Sequence, residues 1–107
     1  MTFNDYQAHT AETQDEKADN IYYLALGLNG EAGEVAEKVK KLLRDHDNTL
    51  TPELANAIAH ELGDVLWYLA RLADKIGWPM RQVAELNLCK LLDRKQRGVL
   101  GGDGDDR

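Results

Sequence analysis

The chain is poor in the residues that build disulfide frameworks, sheets or membrane spans. Its single cysteine, Cys89, excludes an internal disulfide and suits a reducing, cytoplasmic setting. The neighbours Leu88, Leu91 and Leu92 make Cys89 a candidate small core thiol rather than a nucleophile. Only two prolines occur, Pro52 and Pro79, each placed to start a helix. Strand-period alternation is missing, and β-branched residues are scattered. No apolar run reaches the roughly 18–20 residues of a membrane span, and no signal-peptide pattern precedes the first helix. Basic residues are outnumbered 13 to 19 by acids, giving a net charge of −6, and no basic stripe suggests a nucleic-acid partner. These absences leave a single all-α domain over residues 1–98, with a glycine-rich acidic tail, 99–107, expected to be disordered.

What is present is four helical patterns. The first runs from Thr2 or Phe3 to about Glu12, with Thr2 as N-cap. Residues 14–19 are polar and read as a loop or a frayed turn. A second helix starts at Asp19 or Asn20 and runs to about Arg44, with Leu24, Leu28, Val35, Val39 and Leu42 on one stripe. After the loop 45–49, Thr51 caps a third helix with Pro52 at its first position. Its stripe, Leu54, Ile58, Leu62, Val65, Leu69, Leu72 and Ile76, is the most regular in the chain, and Gly77 ends it. Trp78-Pro79 then turns into a fourth helix.

Two carboxylate pairs stand out on this frame. Glu31 and Glu34 are three residues apart on the second helix, and Glu61 and Asp64 are three apart on the third. Positions i and i+3 share a helix face. Glu61 and Asp64 each precede a stripe residue, Leu62 and Val65, so they stand at the edge of the buried face, about 100° from its centre. Two helices that aim such pairs at one space build a box of hard oxygen ligands suited to Mg²⁺, or to Mn²⁺ in its place, and hence to phosphate chemistry. Two carboxylates about 6 Å apart repel by about 3 kcal/mol at an effective dielectric near 20, so four converging acids call for cations. Gly27, Gly30, Gly33 and Gly63 lie inside helical pattern, each costing about 1 kcal/mol relative to alanine. Either close helix approach or room for a ligand at the backbone would offset that cost. Other metal chemistries fit worse: there is no Glu-x-x-His motif, and His60-Glu61 lacks the second histidine of a zincin site, since position 64 is Asp.

The segment Gly27-Leu28-Asn29-Gly30-Glu31-Ala32-Gly33-Glu34-Val35-Ala36-Glu37 resembles the first motif of MazG-like nucleoside triphosphate pyrophosphohydrolases. Glu61-Leu62-Gly63-Asp64-Val65-Leu66-Trp67-Tyr68-Leu69 resembles the second, after a spacer of 26 residues, and Asn87-Leu88-Cys89-Lys90-Leu91-Leu92-Asp93-Arg94 is similar to the family's Asn-x-x-Lys-Leu-x-x-Arg segment. The resemblance implies a four-helix protomer assembled as a dimer or dimer of dimers. It implies conversion of a nucleoside triphosphate, ribo or deoxy, to the monophosphate and pyrophosphate, for control or cleansing of nucleotide pools. It implies Mg²⁺ on Glu31, Glu34, Glu61 and Asp64, with Glu34 favoured as general base, and phosphate or sugar contacts from Asn87, Lys90 and Arg94. Lys38 follows Glu34 by one turn and could meet the triphosphate or simply complement the helix dipole. Trp67 could stack on a base or pack in the core. A dUTPase- or dCTPase-like phosphohydrolase is the alternative on the same fold. A non-catalytic helical dimer serving as a binding module is the alternative of another class.

Overall fold

The computed structural model describes residues 1–107 and contains four α-helices and no strand. They are α1 (Phe3–Thr10), α2 (Ile21–Asp45), α3 (Pro52–Lys75) and α4 (Met80–Gln96), with short 3-10 turns at Ala11–Thr13 and Glu16–Ala18 in the segment joining α1 to α2. Local chemistry sets the boundaries. Thr2 and Asp5 form a reciprocal capping box at the start of α1. Asn20 accepts from the backbone N–H groups of Tyr22 and Tyr23, and Thr51 from that of Leu54. Asp47 and Asn48 turn the α2–α3 loop through the left-handed region, and Gly77, at φ 83°, ends α3. Within residues 14–19 the turn alternative holds: Glu16–Ala18 form a 3-10 turn, and the Asp15 side chain caps the N–H of Ala18.

The long helices α2 and α3 form an antiparallel hairpin, and α1 crosses against α3 and α4. The end of the molecule near the α3–α4 turn is fastened by buried polar groups. Gln7 donates to the carbonyls of Ala70 and Trp78 and accepts from the N–H of Met80 at 2.9 Å. Arg71, buried, donates to Gln14 Oε1, to the Gln7 carbonyl, to Thr10 Oγ1 and to Asp74. Most of these bonds tie α1 and the segment after it to the last turns of α3 and the start of α4, and the Trp78 carbonyl and Met80 N–H they satisfy lie where backbone groups lack intrahelical partners.

The remainder of the protomer is open. Leu62 and Ile76 of the α3 stripe are 52% and 55% exposed, and Leu86, Leu88 and Leu92 of α4 are similarly bare. Cys89 is exposed rather than a core thiol, because no other helix covers this face of α4. The accessible surface is 7788 Å², where a compact monomer of this mass exposes about 6,000 Å². The radius of gyration is 16.6 Å against about 13 Å for a compact chain of this length. Residues 99–107 turn back on α4, where Asp105 meets Lys90 and Arg94, and within the segment Arg107 donates to the carbonyls of Val99, Leu100, Gly101 and Gly104. No helix is long and apolar enough to cross a membrane.

Candidate metal centre

The hairpin register builds the site. With a short loop between α2 and α3, residues equidistant from the turn meet, so Gly27 lies against Tyr68 and Glu31 falls beside Glu61 and Asp64. One carboxylate oxygen from each of Glu31, Glu61 and Asp64 lies within 4.8 Å of the other two. Glu31 and Glu61 are half-buried and Asp64 is exposed, so the cluster sits at the rim of the helix interface and opens to solvent. None of the three has a hydrogen-bond or ion-pair partner. Burial, and then the negative charges of Asp64, Glu61 and Glu34, hold the Glu31 carboxyl above its usual value. Three convergent carboxylates without a counter-charge are a donor set that fits a hard divalent ion, by oxygen type, number and spacing.

Glu34 stands apart from this group. It is exposed and one turn along α2, close enough to act on Glu31 through its charge but outside the three-carboxylate cluster. An open depression of about 400 Å³ borders Asp64, lined by Asn56, Ala59, His60 and Gly63.

The glycines divide by environment. A Cβ on Gly27 would lie 2.1 Å from Cε1 of Tyr68, so this glycine is required for the close approach of that ring. Gly30, Gly33 and Gly63 have nothing within 4 Å and leave backbone open beside the carboxylates.

Residues 10–99 match the MazG nucleotide pyrophosphohydrolase domain. The chain belongs to this family. It is also 47% identical over 92 residues to the Gene 37 protein of Mycobacterium phage L5, covering 86% of the chain and 81% of that protein. No solved structure matches.

In this MazG domain, the side chains expected to meet the nucleotide are dispersed. No hydrogen bond or ion pair joins Lys38, Asn87, Lys90 or Arg94 to the four acids. Lys38 is half-buried on α2, and Asn87 borders an apolar hollow with Phe3, Leu66, Leu69, Met80 and Val83. Lys90 and Arg94 lie farther along α4 and are engaged by Asp105. The Trp67 indole N–H donates to Thr13 Oγ1 at 2.8 Å, which fixes the ring toward the α1–α2 connection.

The aromatic group beside the acids is Tyr68. Its ring meets Trp67 edge-on at 5.0 Å and lies 6.4 Å from that of Tyr23. Burial, then the Tyr23 phenol, then the charges of Glu31 and Asp64 raise the Tyr68 hydroxyl above its usual value. Tyr6 is raised in the same direction by burial and by Asp64. The spacing offers a signal for Tyr68, which follows Asp64 by four residues and so shares its face. Tyr6 is brought in from α1 by tertiary packing and has no such signal.

Proposed function

We propose that this MazG domain is a Mg²⁺-dependent nucleoside triphosphate pyrophosphohydrolase, acting on ribo- or deoxynucleotides to release the monophosphate and pyrophosphate. The observation that carries this reading is the cluster of Glu31, Glu61 and Asp64, three unpartnered carboxylates within 4.8 Å inside the stretch that matches the family. Glu31, Glu61 and Asp64 would hold the ion, with Glu34 added from one turn away, and Mn²⁺ would fit the same oxygens. When bound, the ion supplies positive charge for the phosphate oxygens and a more acidic water. Glu34 is assigned to orient the attacking water and take its proton, because its exposed carboxylate is free of the cluster. The water oxygen bonds to the α-phosphorus as the bond to the α–β bridging oxygen breaks, and pyrophosphate carries away that electron pair. Lys38, Asn87, Lys90 and Arg94 are assigned to the polyphosphate and sugar, and Trp67 to the base or its surroundings.

The same reading includes a second copy of the chain. The protomer exposes roughly 1,800 Å² more surface than a compact monomer of its mass, which is the scale of an obligate interface. The bare leucines of α3 and α4 are what such a copy would cover, and dimerisation would bring cationic α4 residues toward carboxylates they do not reach within one chain.

The test is a panel of canonical and damaged nucleoside triphosphates incubated with Mg²⁺ in ¹⁸O-labelled water. Pyrophosphate release with the label in the monophosphate is expected. Orthophosphate release, or label in pyrophosphate, would exclude attack at the α-phosphorus.

A further inference from the structure

Lys90 and Arg94 lie one turn apart on α4, and both are held by one carboxylate, that of Asp105, at 3.2 and 3.3 Å. Arg94 also donates to the backbone carbonyls of Asp105, at 2.7 Å, and Gly104. The Asp105 carboxyl is held below its usual value by hydrogen bonds and charge from these two cations.

The match is incomplete. All the bonds that Arg94 makes in this segment converge on Nη2, while its buried Nε has no partner. A guanidinium binds carboxylate or phosphate best through two parallel N–H groups, and Nε with Nη2 is such a pair. Asp105 uses one of the two. Asp105 is the exposed partner of these pairs, its side chain 83% open to water against 5% for Arg94, so its release rehydrates the carboxylate and leaves the guanidinium in place. Residues 99–107 are instead shaped by their own bonds to Arg107 and by left-handed turns at Gly102 and Gly104. The segment therefore presents Asp105 to the two cations as a preformed but replaceable anion.

We propose that residues 99–107 are a built-in competitor of the nucleotide's phosphates, with Asp105 occupying Lys90 and Arg94 until a polyphosphate displaces it. This rests on the assignment of those two residues to the polyphosphate. A polyphosphate oxygen pair would satisfy Nε and Nη2 together. Binding then selects the open segment, and the apparent affinity is lowered by the fraction that is closed.

The experiment is calorimetric titration of inorganic tripolyphosphate into the full chain in EDTA, so that no metal contributes. Asp105→Asn should bind roughly threefold to fivefold more tightly than wild type, the scale of losing exposed ion pairs. Asp106→Asn makes the same change of net charge at a residue that touches neither cation, and should leave binding at the wild-type value. Adding Arg94→Gln to Asp105→Asn should abolish the gain. Equal shifts in the two Asp variants would reduce the effect to overall charge and overturn the proposal, and so would the absence of tripolyphosphate binding in every variant. Pyrophosphate release, measured separately, should show a lower KM and unchanged kcat in Asp105→Asn. No release from any nucleotide, with the binding gain intact, would sink the hydrolase reading and leave the segment as a gate on an anion site.

Discussion

The open end of the α2–α3 hairpin and its middle are built on opposite terms. Near the α3–α4 turn, polar side chains are buried and satisfied: Gln7 uses both its amide groups, and Arg71 bonds to four residues. Around Glu31, Glu61 and Asp64, carboxylates are gathered at a solvent-open rim with no protein partner. Buried polar groups stabilise only when every member is paired. The clamp therefore holds the protomer together, whereas the gathered like charges of the acid cluster work against folding. On the proposed function, stability and chemistry occupy separate places on one hairpin, and substitutions should separate them.

The largest effect belongs to the cluster. Glu61→Gln and Asp64→Asn should each lower kcat by roughly 100-fold or more while the far-ultraviolet circular dichroism stays native. A variant at the clamp should do the reverse. Gln7→Ala leaves the Met80 N–H and two carbonyls without their partner, and should cost about 2–3 kcal/mol in denaturant unfolding. Its activity per folded molecule, measured well below Tm, should match wild type. A Gln7 variant that kept full stability would erase the contrast between the clamp and the cluster.

Glycines sharpen it further. Gly27→Ala drives a methyl group into the Tyr68 ring and should destabilise by about 1–3 kcal/mol, as overpacking does. Gly33→Ala meets no atom within 4 Å and should lose nothing, or gain up to about 1 kcal/mol from helix propensity. Thermal melts of the pair decide whether the glycines differ as their surroundings do.

The smallest effect is electrostatic. Glu31 has a folded-state pKa raised above its ordinary 4.5, so at neutral pH its charge works against folding. Glu31→Gln should therefore raise the Tm of the metal-free protein at pH 7 and abolish any stabilisation by Mg²⁺. The advantage of the variant over wild type should shrink as pH falls through the raised value toward 4.5, since wild type then folds with Glu31 protonated.

Much of this plan is legible in the sequence. The caps Thr2, Asn20 and Thr51, the helix-starting Pro52 and the stop at Gly77 are local signals, and the helices follow them. The two carboxylate pairs are legible because helical spacing fixes their faces, and the short loop between α2 and α3 brings those faces together. What is not legible depends on contacts between distant residues. Nothing local marks Arg71 as a buried hub rather than a surface cation, and nothing local seats Trp67 on Thr13 and turns Tyr68 to the acids. Spacing alone does not separate Glu34 from the other three, because i,i+3 sets a shared face and not a shared point. Cys89 follows the same rule: the leucines around it imply burial, but no other element of the protomer covers them.

The central claim is that Glu31, Glu61 and Asp64 form one divalent-cation site. Electron paramagnetic resonance of free Mn²⁺, titrated with wild-type protein and with Asp64→Asn, tests it without any nucleotide. Wild type should remove free Mn²⁺ saturably and release it to excess Mg²⁺, while Asp64→Asn should bind at least tenfold more weakly, as loss of one charged ligand requires. Equal binding by the two proteins, or none by wild type, would contradict the account.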